Sequence, residues 1–193
     1  MLNTIIKRVG QLQNLLGAIS SFLLICLVLI MAFNVIARYA FSASSIGIEE
    51  LSWHLYAAIF LLGIPYALKS DSHVRVDLFF EKFSKKTQAI IDLTGTLVFL
   101  IPACLIVAWA GWNFTVAAYQ LGAQPDSISA FFNQLVSTGI GEKSQDPGGL
   151  LNRWIIKGVI PLSFLCLLLA AIAFAAEKIL IFSKTLQEPE SEQ

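Results

Sequence analysis

The sequence predicts an all-α integral membrane protein, with four transmembrane helices, additional interfacial amphipathic helices and both termini cytoplasmic. Three observations predict it. Hydrophobic residues make up 56% of the 193 residues and charged residues only 13%, against roughly 25% charged in a soluble domain. The apolar residues are gathered into long charge-free runs, and about 20 such residues suffice for a helix to cross the hydrocarbon core of a bilayer. The basic residues, finally, are spread unevenly over the connections between those runs. Formal net charge is zero, so nothing in the overall charge suggests a nucleic-acid partner.

Residues 1–14 place Leu2, Ile5, Ile6, Val9 and Leu12 at helical spacing, with Lys7, Arg8, Gln11 and Gln13 elsewhere on the wheel. That pattern predicts a short amphipathic helix in the membrane interface. The apolar run that follows is too long for a signal peptide and has no small-residue cleavage site behind it. A four-helix domain over 15–184 comes next, with spans at about 15–38, 48–68, 93–118 and 158–177. Gly63 and Pro65 fall in the second half of span two, where proline removes a backbone donor and kinks the helix. Pro102 lies inside span three, and Pro161 is tolerated in the first turn of span four.

Two connections carry helical stripes of their own. Val76, Phe79, Phe80 and Phe83 follow i, i+3, i+4, i+7, with Lys82, Lys85 and Lys86 largely off that face. This predicts an interfacial helix whose lysines face anionic headgroups. Within the long insertion at 119–157, punctuated by glycine and proline, Ile128, Phe131, Phe132 and Leu135 predict a short amphipathic helix for the membrane surface or a partner. The acidic tail at 185–193 has the composition of a disordered segment. Cys26, Cys104 and Cys166 sit singly in apolar runs and read as small hydrophobes.

Four spans put both termini on one side. That side carries Lys7, Arg8, Lys69, Arg75, Lys82, Lys85, Lys86, Lys178 and Lys184, while the other carries Arg38, Lys143, Arg153 and Lys157. The positive-inside rule therefore places the termini and the 69–92 connection in the cytoplasm, with Arg153 and Lys157 running against it.

The stretch from Asn34 to His54 joins spans one and two and holds the clustered charge of the opposite side. Asn34 and Arg38 are i, i+4, as are Glu50 and His54, so each pair shares a helix face. Two readings are compatible: an interfacial Arg38–Glu50 ion pair that closes the hairpin, or a polar patch of Asn34, Arg38, Glu49, Glu50, Trp53 and His54 that meets a partner subunit. Trp53 reads as an interface anchor. His73 and Asp77 are also i, i+4, and Asp77 reads as a cap for a following helix at 78–91. The two histidines, His54 and His73, are too few for a metal site, and only His54 lies in a span where a haem would need it. No metal or cofactor is expected. Neither a catalytic triad, a phosphate loop nor paired carboxylates occur where water and substrate meet, so no enzyme is expected either. No Asp, Glu, Lys or Arg falls in the middle of a span, whereas an ion-coupled carrier needs polar groups near the midplane. A subunit packed beside a translocating partner fits better; a membrane anchor for a respiratory or redox complex is the alternative.

An ordered set of short motifs resembles a known family. Asn34-Val35-Ile36-Ala37-Arg38-Tyr39, Glu49-Glu50-Leu51, Gly63 with Tyr66-Ala67-Leu68, and His73-Val74-Arg75-Val76-Asp77 resemble the small membrane subunit, DctQ type, of tripartite ATP-independent periplasmic (TRAP) transporters. Gly148 to Lys157, GGLLNRWIIK, is similar to a subset of that family with an enlarged outer loop. The resemblance implies a non-translocating scaffold in the bacterial inner membrane. Its partners would be a large permease subunit carrying the substrate and sodium path, and a periplasmic binding protein that delivers the solute, often an organic acid. The cytoplasmic motif would comprise His73, Arg75, Asp77, Lys82, Lys85 and Lys86.

Overall fold

A computed structural model of the chain describes residues 2–70, 83–122 and 124–187. Every regular element among them is helical. Helix α1 runs Leu2–Phe41 and α2 runs Ile46–Lys69. Then α3 (Lys85–Gly95), a π-helical turn (Thr96–Leu100) and α4 (Ile101–Tyr119) follow one another without a break. A short α5 (Ile128–Ser137) precedes the long α6 (Trp154–Gln187). Four helical stretches are long and apolar enough to cross a membrane: Thr4–Phe41, Ile46–Lys69, Thr87–Tyr119 and Trp154–Leu180.

Helix α1 differs from the expectation of a separate interfacial helix at 1–14, because it is continuous. Its buried and half-buried positions follow one seam, Val9, Gln13, Leu16, Ser20, Leu23, Leu27, Ile30 and Asn34, alternately four and three residues apart. That 3.5-residue period is the seam of a left-handed helix pair, and it passes through residue 14 without changing phase. At 1.5 Å per residue the helix is about 60 Å long, so its first turns extend beyond the hydrocarbon. The remaining faces, including Phe22, Ile25, Leu29 and Ile36, are exposed.

Lipid tails give apolar helices no reason to associate, so close packing and hydrogen bonds must hold the pair together. The seam supplies both. Gln13 Nε2 donates to the Pro65 carbonyl at 2.9 Å and Ser20 Oγ to the Ile59 carbonyl at 2.8 Å. Gly17 lets the Tyr66 ring lie against the α1 backbone; a Cβ there would fall 2.7 Å from the ring.

Helix α6 is the hub, in contact with α1, α2, α3 and α4. Its buried residues are small, Ser163, Ala170, Ala171 and Ala175, with Leu167 between them. Leu68, Cys104, Leu167, Ala170 and Ala171 form the core cluster. Proline chemistry explains one contact. Pro65 has no N–H to give the Leu61 carbonyl one turn earlier. Ser163 Oγ of α6 donates to that carbonyl instead. A second proline, Pro161, lies in the second turn of α6 and not the first, because the helix starts at Trp154. Gly111 of α4 packs on it, and a Cβ at Gly111 would fall 2.9 Å from Ile160 and 3.2 Å from the Pro161 ring.

Span three likewise begins earlier than residue 93. Ser84 caps α3 by accepting from the Thr87 amide, and Asp92 lies inside the helix, in an ion pair with Lys178 of α6 at 2.6 Å. The π turn ends just before Pro102, whose ring crowds an α-helical carbonyl one turn back; a wider turn accommodates it.

Candidate partner-contact site at the hairpin end

The end of the bundle away from the termini carries the Asn34–His54 hairpin and the 120–153 connection. The structure separates the hairpin residues into two groups. Asn34 is the last polar position of the α1 seam and is 9% exposed. One turn on, Arg38 points outward. Its guanidinium lies 3.9 Å from Glu49, with the two side chains 51% and 48% exposed. The ion pair therefore forms with Glu49, not with Glu50 as the facing-ends argument suggested. Trp53 is 73% exposed. Helix geometry explains the split: adjacent residues point about 100° apart, so Glu49 and Glu50 cannot serve the same face.

Glu50 turns to the 120–153 connection. Its Oε1 accepts from Ser144 Oγ at 2.5 Å and its Oε2 from the Leu150 amide at 2.6 Å. Hydrogen bonds to a carboxylate are roughly twice as strong as neutral ones. Two glycines make this approach possible. A Cβ at Gly47 would fall 2.9 Å from the Gly148 carbonyl, and one at Gly149 would meet the Ser144 side chain and lie 3.0 Å from Glu50 Oε2. His54 adds a local bond: its Nδ1–H donates to the Glu50 carbonyl at 2.6 Å, which fixes the proton on that nitrogen since a carbonyl only accepts.

Residues 138–153 fold as a clip. The Ser144 amide donates to the Leu150 carbonyl at 3.0 Å and the Arg153 amide to the Glu142 carbonyl at 2.9 Å. Asn152, at φ 58°, staples the clip to α5: its Oδ1 accepts from the Ile140 amide and its Nδ2 donates to the Leu135 carbonyl. Ile140 is fully buried. Two more ties reach the helices below. The Glu142 amide donates to the Ala118 carbonyl at the end of α4. The Glu142 carboxylate pairs with Lys157 at the start of α6, whose ammonium also lies 4.0 Å from the Phe114 ring centre. Gly141 turns the chain at φ 68°, with so little room that a Cβ would sit 2.6 Å from the Ala118 carbonyl. The clip thus joins α2, α4 and α6.

The GGLLNRWIIK run acquires a physical meaning here. Gly149 and Leu150 receive Glu50, Leu151 abuts Gly139, Asn152 is the staple, Trp154 packs edge-on against Tyr119 at 5.1 Å and Lys157 holds Glu142. Arg153 lies near enough to act on the Glu50 charge. Of the two cations that ran against the positive-inside count, Lys157 is thus paired with a carboxylate within the fold. Ser144 and the Leu150 amide were not visible as partners of the hairpin, nor Glu142 as the partner of Lys157. Charge bookkeeping alone offered a hint, since Arg153 and Lys157 needed acids near them.

Helix α5 carries the predicted stripe, with Ser127 accepting from the Ala130 amide as its cap. Ile128, Phe132 and Val136 on it are 80%, 62% and 82% exposed. Of the second candidate set, His73, Arg75, Asp77 and Lys82 lie outside the described residues. Lys85 and Lys86 open α3, and their side chains are outside the description as well.

Four membrane-crossing helices gathered on one hub, with a single clip over three of them, define a multi-pass helical membrane protein. The sequence matches, over residues 27–180, the family described as tripartite ATP-independent periplasmic transporters, DctQ component. The match spans most of the chain, and the protein belongs to that family. It is thus a component of a TRAP-type transporter. No curated protein matches the chain at a significant level.

Proposed function

We propose that this chain is the small, non-translocating scaffold subunit of its transporter. It pairs with a large permease subunit for ion-coupled uptake of a solute, an organic acid by family analogy, handed over by a periplasmic binding protein. It sits in the bacterial inner membrane with both termini in the cytoplasm. The observation that carries this reading is the placement of charge. Lys7, Arg8, Arg38, Glu49, Glu50, Lys69, Asp92, Lys157, Glu177 and Lys178 all lie near span ends, and between them the spans have no Asp, Glu, Lys or Arg. A pathway for an ion and an organic anion needs such groups or broken helices at mid-depth, so the pathway belongs to the partner.

At the hairpin end the geometry supports a division of labour. Glu50, Asn34 and His54 keep the subunit's own shape. Arg38, Glu49 and Trp53 face outward and meet the partner proteins. His73, Arg75, Asp77, Lys82, Lys85 and Lys86 hold the cytoplasmic surface at the headgroups.

Co-expression with the large permease tests the proposal. The two chains are expected to co-purify, and sodium-dependent uptake in proteoliposomes is expected only when both are present with the binding protein. Uptake driven by this chain alone would overturn the scaffold assignment.

A further inference from the structure

A cavity of about 600 Å³ opens toward the end of the bundle that holds the termini, between the first turns of α1, the end of α2 and the stretch of α6 from Ala170 to Lys178. Its lining mixes Lys7, Lys69, Lys178 and Glu177 with apolar residues including Leu68 and Phe174, and the Lys178 ammonium lies 4.9 Å from the Phe174 ring centre. With the Asp92 carboxylate paired to Lys178, three ammonium groups meet two carboxylates and one positive charge is left over. The lysines differ in how far they are engaged. Lys178 is paired with Asp92. Lys69 donates to the Gly10 carbonyl at 3.1 Å and to Asn14 Oδ1 at 2.7 Å, and an ammonium has three donors. Lys7 is exposed and makes no ion pair among the described residues.

The position of the cavity narrows the ligand. The long apolar run of α1 begins at Leu15, so Lys7 and Lys69 stand at the boundary where headgroups meet hydrocarbon. A soluble anion would use the lysines and leave the apolar lining in contact with water. A phospholipid would use both: phosphate on the lysines, glycerol and first methylenes against Leu68 and Phe174. Basic pockets between membrane helices bind anionic headgroups for this reason, and each buried methylene adds roughly 0.8 kcal/mol. The geometry points to a binding site for the phosphate of an anionic glycerophospholipid, held between α1, α2 and α6. The site goes beyond the scaffold assignment and does not depend on it.

Native mass spectrometry of the purified full chain with phosphatidylglycerol or phosphatidylcholine tests the site. Phosphatidylglycerol is expected to remain bound under activation that strips phosphatidylcholine. Lys7→Gln, which removes no ion pair among the described residues, is expected to lower that retention at least threefold, and Lys7→Gln with Lys69→Gln at least tenfold. Lys143→Gln, at the opposite end, leaves it unchanged. Equal retention of the two lipids by the wild type, or unchanged phosphatidylglycerol retention in both lysine variants, would overturn the site. Displacement of the lipid by millimolar glycerol 3-phosphate would make it a soluble phosphoester site and overturn the lipid assignment.

Discussion

Glu49 and Glu50 are neighbours, yet they belong to two connections of opposite character. The link between α1 and α2 is short and open. Past Phe41 it is tied by the Ala43 amide to the Ala37 carbonyl and by the loose Arg38–Glu49 pair. The link between α4 and α6 is long, turned by glycines and held by hydrogen bonds to three helices. Length therefore says little about order here. What matters is whether each buried polar group of a connection finds a partner, since an unmade hydrogen bond costs more than a made one returns. By that measure the long insertion, Arg153 Nε apart, is a structural part of the bundle. The short hairpin is a surface.

The largest effect expected from this contrast belongs to Glu50→Ala. It leaves the Ser144 hydroxyl and the Leu150 amide without their acceptor and releases the clip from α2. The loss is expected to be about 1.5–2 kcal/mol, the lower part of the range for hydrogen bonds to a charged group, because the site is only partly buried. Thermal unfolding in detergent and the rate of proteolysis within 138–153 measure it. Glu50→Gln is expected to recover part of the loss, because an amide oxygen still accepts. Unchanged melting and unchanged cleavage in Glu50→Ala would show that the clip holds without the carboxylate.

Much of this fold was legible because membrane helices announce themselves. Long uncharged runs gave all four spans, and the Ile128–Leu135 stripe gave α5. Boundaries were less legible for a physical reason. Charge marks where a helix leaves the hydrocarbon, not where its hydrogen bonding stops. Residues 2–14, Lys85 to Asp92 and Trp154 to Lys157 are polar enough to end a run and still continue a helix. The hairpin cluster was legible as a set of residues, but its pairing was not. Arg38 and Glu50 looked like partners because both sit at facing helix ends. The true partners of Glu50 are Ser144 and Leu150, some hundred residues on, and no local pattern encodes a tie of that length.

A middle-sized effect is expected within the spans, where the same logic operates without water. Ser163→Ala removes the donor that the Leu61 carbonyl receives in place of the missing Pro65 amide. Interhelical hydrogen bonds in membranes average about 0.6 kcal/mol, with a maximum near 1.7, and the buried setting favours the upper part of that range. The double variant separates the explanations. Pro65→Ala restores an amide to the α2 ladder, so Ser163→Ala is expected to cost less in that background than in the wild type. An equal cost in both backgrounds would mean that Ser163 acts through packing alone.

The smallest effect on folding is expected at Arg38, and there the contrast between the two links is most exposed to test. Its contact with Glu49 is long and half in water, so Arg38→Ala should shift stability by no more than about 0–1 kcal/mol. If the hairpin is a surface for partners, the same substitution should still weaken co-purification with the large permease, and Glu49→Ala should do so as well. The signature is a split: association falls while the melting of the isolated subunit stays put, the reverse of the Glu50 variant, whose instability comes first. Loss of stability in Arg38→Ala as large as in Glu50→Ala would place both links in one structural unit. Unchanged association in the Arg38 and Glu49 variants would move the partner surface elsewhere, and the exposed stripe of Ile128, Phe132 and Val136 would be the next face to substitute.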